Sequence, residues 1–321
     1  MNHTHAAAAL SFTQPSIAAG RPCIMRAADL PPMQGGPGEK GAFMLTGEHS
    51  GGRLTVASTF VDVNSGPPPH IHSNEEEIFV VQSGAFELLA NGQLVVARAG
   101  DVAYMSRGEA HRFRGLDSGE PNHFFIIVAP SGFENFLMRW AGLFQNGGAP
   151  NMEVAGQLCG EYGISLLPAD DAFALPEVPR TKIIPSSKRA MSVLGFEVAL
   201  LLNTDDTQGR YSMVRLTGAH NRSLPVCQHN REDQAFIIEE GQVEFRLGAE
   251  TVLAEKGDVV WVPRGHKSGF CIASQSARMV AFMTPGGFDE FFVDAALAEV
   301  SGDEATNTLS SLGKRFGVTF S

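Results

Sequence analysis

Apolar residues along this chain fall in short runs, and glycine-containing turns break those runs at close intervals. Residues 52–61 ("GRLTVASTFV") form one run, and "EIFVVQSGAFELLANGQLVVARAGDVAYMS" contains several, punctuated by "QSG", "ANG" and "RAG". "HRFRG" and "NHFFIIVAP" follow. Short apolar strands at regular spacing, with turn signals between them, predict an all-β sandwich or barrel. Two stretches depart from the pattern. "FENFLMRWAGLF" and "FDEFFVDAALAEV" carry apolar residues at helical spacing, so each predicts a flanking helix packed on the outside of a barrel. Residues 1–20 show no periodicity and read as a flexible N-terminal arm, with His3 and His5 as part of a solvated tail.

The pattern occurs twice. His72 and His229 lie 157 residues apart, as do Gly84 and Gly241, Gly100 and Gly257, and Gly108 and Gly265. "GDVAYMSRGEAH" from Gly100 answers to "GDVVWVPRGHKS" from Gly257. "PSGFENF" from Pro130 matches "PGGFDEF" from Pro285 at an offset of 155, and "YGISLL" from Tyr162 echoes "FGVTF" from Phe316. A constant offset over nearly half the chain implies duplicated domains. The first is expected at residues 21–168 and the second at 182–321, joined by a linker, 169–181, in the Pro-rich stretch "LPADDAFALPEVPRT".

Composition narrows the class. The 321 residues suffice for two domains with a sizeable core, and the apolar fraction of 43% is ordinary for a globular protein. A net charge of −11 argues against nucleic-acid binding, which needs clustered Lys and Arg. No apolar run approaches the roughly 18–20 residues that span a bilayer. The early "AAAAL" has no basic segment before it and no long apolar run after it, so no signal peptide is expected. Cys23, Cys159, Cys227 and Cys271 are scattered without a C-x-x-C pair, which fits reduced thiols and a cytoplasmic location.

The chemistry gathers in "PPPHIHSNEEEIFVVQSG". Residues two apart on a strand share a face, so His70 and His72 project together. Glu77 opens the next apolar strand, and Phe79 and Val81 share its parity, which points all three inward. A carboxylate facing an apolar interior is costly unless paired or metal-bound. His111 enters on a later strand, just after the Arg107–Gly108 turn. Three imidazoles and a carboxylate converging in a barrel suit one divalent transition metal, whether Fe, Mn, Ni, Co or Cu. Glu75 and Glu76 read as solvated loop charges, although spacing alone leaves either open as the ligand.

These residues carry a family resemblance. "HIHSNEEEIFVVQSG" resembles the first cupin motif, H-x-H-x(3,4)-E-x(6)-G, with His70, His72, Glu77 and Gly84 at its positions. "GDVAYMSRGEAH" is similar to the second, G-x(5)-P-x-G-x(2)-H, where Gly100, Gly108 and His111 fit and Ser106 replaces the usual proline. The first motif's leading glycine has no clear counterpart. The resemblance covers nearly the whole chain after the arm and implies a bicupin, two tandem double-stranded β-helix (jelly-roll) barrels. In the second half Cys227, His229, Gln234 and Ser268 stand where His70, His72, Glu77 and His111 stand in the first. His266 lies nearby, but Gln234 and Ser268 are poor ligands, so a degenerate site is expected there. The second barrel is then expected to be structural, covering a flank of the first and contributing to a homodimer.

A bicupin with H-x-H-x(4)-E and then P-x-G-F-E most resembles the quercetin 2,3-dioxygenases. That resemblance implies a metal-bound flavonol enolate, a glutamate ligand that also takes the substrate's hydroxyl proton, dioxygen as co-substrate, and ring opening with release of carbon monoxide. Carried over, Glu77 is both ligand and catalytic base, a role that a raised pKa would favour. Phe60, Phe79, Tyr104 and Phe113 are the candidate walls for a flat aromatic substrate, with Trp140 and Phe144 at the pocket mouth or packed on the barrel. The alternatives are a non-redox metal cupin (lyase, isomerase or cyclase) and a non-catalytic small-molecule binder.

Overall fold

The glycine-punctuated runs fold as antiparallel strands in two repeated arrangements of paired sheets. The computed structural model describes residues 20–144, 151–168, 173–298 and 305–321. His3, His5, the arm up to residue 19 and the start of the expected linker lie outside the described residues.

In the first arrangement a seven-stranded sheet runs, in spatial order, Lys182–Ile184, Val102–Met105, Glu76–Ser83, Asn122–Ala129, Thr55–Val61, Glu39–Leu45 and Met33–Gln34. The opposing layer has three strands, Arg112–Gly115, Ala85–Ala90 and Gln93–Arg98, and the pair Ile164–Leu166 and His70–His72. Phe79, Val81 and Phe124 from one layer meet Phe86, Leu88 and Phe113 from the other in a single apolar core. Alternation along each strand delivers those side chains to one face.

In the second arrangement the large sheet runs Cys23–Met25, Val259–Val262, Asp233–Glu240, Ser276–Thr284, Ser212–Ala219, Phe196–Leu202 and Met191–Val193. Its five-stranded partner runs Glu250–Glu255, Gln242–Leu247, Lys267–Ile272, Ser223–His229 and Val318–Phe320. The repeat extends to register. His70 bridges His111 in the first barrel, and Cys227 pairs with Ser268 in the second. It extends to turns as well. Gly84 and Gly241 both have left-handed φ, 74° and 76°, and a Cβ on either would lie under 3 Å from backbone atoms of the adjoining strand. Only glycine fits there.

The two expected helices form at Phe133–Gly142 and Asp289–Leu297. Met152–Glu161 and Ala305–Phe316 add two that the apolar pattern did not signal. The units divide differently from the expected boundaries. One is built mainly on Asp29–Glu48 and Gly52–Ser186, the other mainly on Ser187–Ser321 with the stretch ending at Ala28. Cys23–Met25, placed by sequence in the first domain, pairs with Val259–Val262 in the second. Lys182–Ile184, placed in the second, pairs with Val102–Met105 in the first. Each closes the edge of a seven-stranded sheet, and an open edge is what a short added strand removes. Among the described residues no helix is long and apolar enough to cross a membrane.

Candidate active site

Strand pairing assembles the four ligand candidates. His70 and His111 exchange backbone hydrogen bonds, each 3.0 Å, so their imidazoles emerge side by side. The Gly108 N–H donates to the His72 carbonyl at 2.8 Å, which closes the Arg107–Gly108 turn onto the same strand. Glu77 lies opposite Met105 and Val128, with its carboxylate turned into the barrel. All four residues are buried, and one ligand atom from each lies within 4.8 Å of the others.

The donor set fits a metal ion. His70 Nδ1 lies 2.8 Å from the Pro68 carbonyl and His111 Nδ1 lies 2.9 Å from the Glu109 carbonyl. A carbonyl only accepts, so each Nδ1 carries the proton and each Nε2 keeps its lone pair for the centre of the cluster. His72 Nε2 and His111 Nε2 are buried with no hydrogen-bond partner, and such orphaned atoms call for one. Both sit 3.3 Å from a Glu77 oxygen. The cluster thus offers a site for one divalent transition metal, and His70, His72, Glu77 and His111 could hold it.

Electrostatics sharpen each role. Burial alone would raise Glu77, but His72 and His111 outweigh it and hold its pKa down at about 2. The expectation of a raised value at Glu77 is therefore corrected: three imidazoles surround the carboxylate, not apolar walls alone. Burial and the neighbouring imidazoles of His111 and His72 push His70 down to about 3. At His72 burial is outweighed by Glu77 and Glu75, and its pKa is raised. Glu75 Oε2 lies 3.4 Å from His72 Nδ1, an ion-pair contact too long for a good hydrogen bond. Glu75 and Glu76 are not solvated. Both are buried, and Glu76 accepts from the Tyr104 hydroxyl at 3.0 Å with Arg107 Nε at 3.6 Å.

A cavity of about 300 Å³ opens beside the cluster and is lined by His70, His72 and Glu77 among others. Of the expected walls, Phe113 lines it. Phe79 lies behind, in edge contact with Phe113 and Phe124 at 5.6 and 5.0 Å. Tyr104 and Phe60 do not line it. Tyr104 pairs with Ile78 and points to the opposite face from Glu77, where it meets Glu76. Phe60 is 40% exposed and stacks on His123 at 4.2 Å on the outer face. Trp140 and Phe144 do line the cavity. The residues that sequence reasoning missed are Phe124, Phe133, Phe136 and the acidic Glu39. Phe133, Phe136 and Trp140 recur at helical spacing in the stretch read as packing outside the barrel. That spacing was the available signal, since it puts them on one helix face.

The second barrel differs in its interior. Cys227, His229, Gln234 and Ser268 line a cavity of only about 50 Å³, closed by Phe288, Phe291 and Phe292. His229 keeps a carboxylate neighbour, Glu232, at 3.4 Å, and Gln234 Nε2 approaches its other nitrogen at 3.3 Å. Burial pushes the Cys227 thiol up to about 12, which disfavours the thiolate that binds metal. His266 is not part of that lining.

Two duplicated jelly-roll barrels, one bearing a buried three-histidine, one-carboxylate cluster, define a double-barrelled metal protein. A family model for the Cupin domain matches residues 59–128. The chain is 20% identical over 288 residues to quercetin 2,3-dioxygenase of Bacillus subtilis (strain 168), covering 81% of this chain and 84% of that one. Its fold is similar to a variant of oxalate decarboxylase from Bacillus subtilis, with a TM-score of 0.62 at 15% identity over 96% of this chain and 90% of that one. A second structure of that decarboxylase, described with Mn(II) centres, gives 0.60 at 14% identity over the same shares. Residues 59–128 are thus a Cupin domain, and the chain as a whole has the two-barrel bicupin fold.

Proposed function

We propose that the protein is a metal-dependent dioxygenase that cleaves a ring of a flavonol or another enolisable phenolic aromatic, in the manner of a quercetinase. The observation that carries this reading is the cavity wall. It is largely aromatic and apolar, and among the described residues that line it none is Lys or Arg. A dicarboxylate such as oxalate would leave water with two charges and find no protein cation to pair with. A flat phenolic aromatic meets no such cost and buries its faces against Phe113, Phe124 and Phe136. The similarity to quercetin 2,3-dioxygenase supports the same reading.

His70, His72, Glu77 and His111 would hold the metal, which supplies Lewis acidity that makes a substrate hydroxyl more acidic. Glu77 would take the hydroxyl proton. Its low proton affinity makes it a weak base by itself, and the increased acidity of the hydroxyl offsets that weakness. The aromatic walls orient the ring and exclude water. The small-molecule substrate and dioxygen are then the partners. An oxygen electrode tests the reading on protein loaded in turn with Fe, Mn, Ni, Co and Cu. Oxygen uptake in step with flavonol loss, with release of carbon monoxide, is expected, and His72→Ala should abolish it. Flavonol loss without oxygen uptake would move the protein to the non-redox class. No turnover of any phenolic by any metal form would overturn the proposal.

A further inference from the structure

The cavity holds a second carboxyl that the metal cluster does not use. Glu39 opens the strand Glu39–Leu45 and lines the cavity wall. Its carboxylate folds back over the turn at Gly35 and Gly36. The Gly36 N–H donates to Oε2 at 3.3 Å, the one hydrogen bond this carboxyl receives among the described residues. A Cβ at Gly35 would lie 2.7 Å from the same oxygen, so the carboxyl packs closely over the turn. Burial, opposed by the Gly36 N–H and reinforced by the Glu77 charge, pushes the Glu39 pKa up to about 7. No Lys or Arg lines the cavity among the described residues, so the protein supplies Glu39 with no counter-ion there. A carboxyl with one long backbone bond and no salt bridge among the described residues holds the fold together poorly. It retains capacity for a further hydrogen-bond partner, and that capacity faces the cavity.

We infer, resting on the phenolic-substrate reading above, that Glu39 is a substrate-recognition residue whose carboxyl accepts a hydrogen bond from a second substrate hydroxyl, remote from the one at the metal cluster. The substrate class narrows accordingly to uncharged aromatics with at least two hydroxyl groups on separate parts of the molecule. A site built around a polar contact rejects an analogue that lacks it, because the protein group is left unpaired once water is excluded.

Trp140 provides the readout, since it lines the cavity while the chain's other tryptophan, Trp261, is fully buried and does not line it. Quercetin and 3-hydroxyflavone, which lacks the remote hydroxyls, are titrated into metal-loaded protein without oxygen, and quenching of Trp140 fluorescence is followed. The wild type should prefer quercetin by about 10–100-fold, the range lost when a desolvated polar group is left without its partner. Glu39→Ala should bring the two within about 3-fold by weakening quercetin alone, with metal content and 3-hydroxyflavone affinity unchanged. Glu39→Gln, which preserves shape and keeps a weaker acceptor, should fall between. An undiminished preference in both variants overturns the inference. Equal binding of the two flavonols by the wild type also overturns it and leaves the phenolic reading standing. Failure of either flavonol to bind the wild type overturns both.

Discussion

Two histidines of the cluster are held by hydrogen bonds at the nitrogen that faces away from it, His70 to the Pro68 carbonyl and His111 to the Glu109 carbonyl, while His72 Nδ1 has an ion-pair contact with the Glu75 carboxylate at 3.4 Å. Glu75 is thus the one outer partner that can be changed without touching backbone. Glu75→Gln should lower metal affinity about 10–100-fold while the fold stays intact, as loss of an orienting partner does. Competition against a chelator measures this, and unchanged affinity would show that His72 is oriented by packing alone. Glu39 makes a separate prediction through pH. Its pKa rises from the ordinary 4.5 to about 7 in the folded protein, so the fold favours the protonated form. That contribution is complete below about pH 4.5 and is lost as pH rises through about 7. Glutamine imitates the protonated group at every pH. Metal-free Glu39→Gln should match the wild type near pH 4.5 and exceed it near pH 8 by on the order of 1–3 kcal/mol, read as a higher melting temperature. Equal melting temperatures at both pH values would contradict the burial that raises this carboxyl.

At the scale of elements, the helix Phe133–Gly142 turns a barrel into a binding site. Phe133 meets the His72 ring at 5.1 Å, Phe136 stacks on Phe133 at 5.2 Å, and Trp140 stacks on Phe136 at 5.5 Å. This ladder runs from the metal cluster outward. Trp140→Ala should raise KM for an aromatic substrate roughly 2–10-fold, with metal content unchanged, since an aromatic pair contributes about 0.5–1.5 kcal/mol beyond area. Steady-state kinetics decide it, and a fall in kcat with constant KM would place Trp140 outside the binding wall. The fold and the cluster's spacing were legible because strand period and motif are local. The walls were not. Strand Glu76–Ser83 is buried on both faces over most of its length, so its apolar run shows no alternation to reveal which residues face the cavity. Tyr104 was misassigned for want of a register, which pairing with Ile78 supplies. Glu39 was invisible because an acidic residue between Pro-Gly and Lys-Gly reads as a solvated turn charge. Only the tertiary position of that turn half-buries it against the cavity.

Over the whole molecule, duplication gave two barrels and only one kept both parts of a site, the ligands and the space. The second retains backbone register, with Cys227 opposite Ser268 as His70 is opposite His111. It also retains the outer carboxylate, Glu232, at the same 3.4 Å from His229 that separates Glu75 from His72. What it lost is separable. Cys227→Ser with Gln234→Ala should leave metal content near one per chain, because the second site contributes no complete ligand set. Restoring that set with Cys227→His, Gln234→Glu and Ser268→His should raise bound metal toward two per chain, measured by elemental analysis. Oxygen uptake per chain should nevertheless stay at the wild-type level. Phe288, Phe291 and Phe292 fill the space that the first barrel leaves open, about 50 Å³ against about 300 Å³, and a cavity of that size admits water but no flavonol. A folded triple variant that still binds one metal would show that the second barrel has lost ligand geometry as well as ligand identity. A doubled rate would show that the aromatic plug moves aside, and the loss of function in that barrel would then rest on its four ligand positions alone.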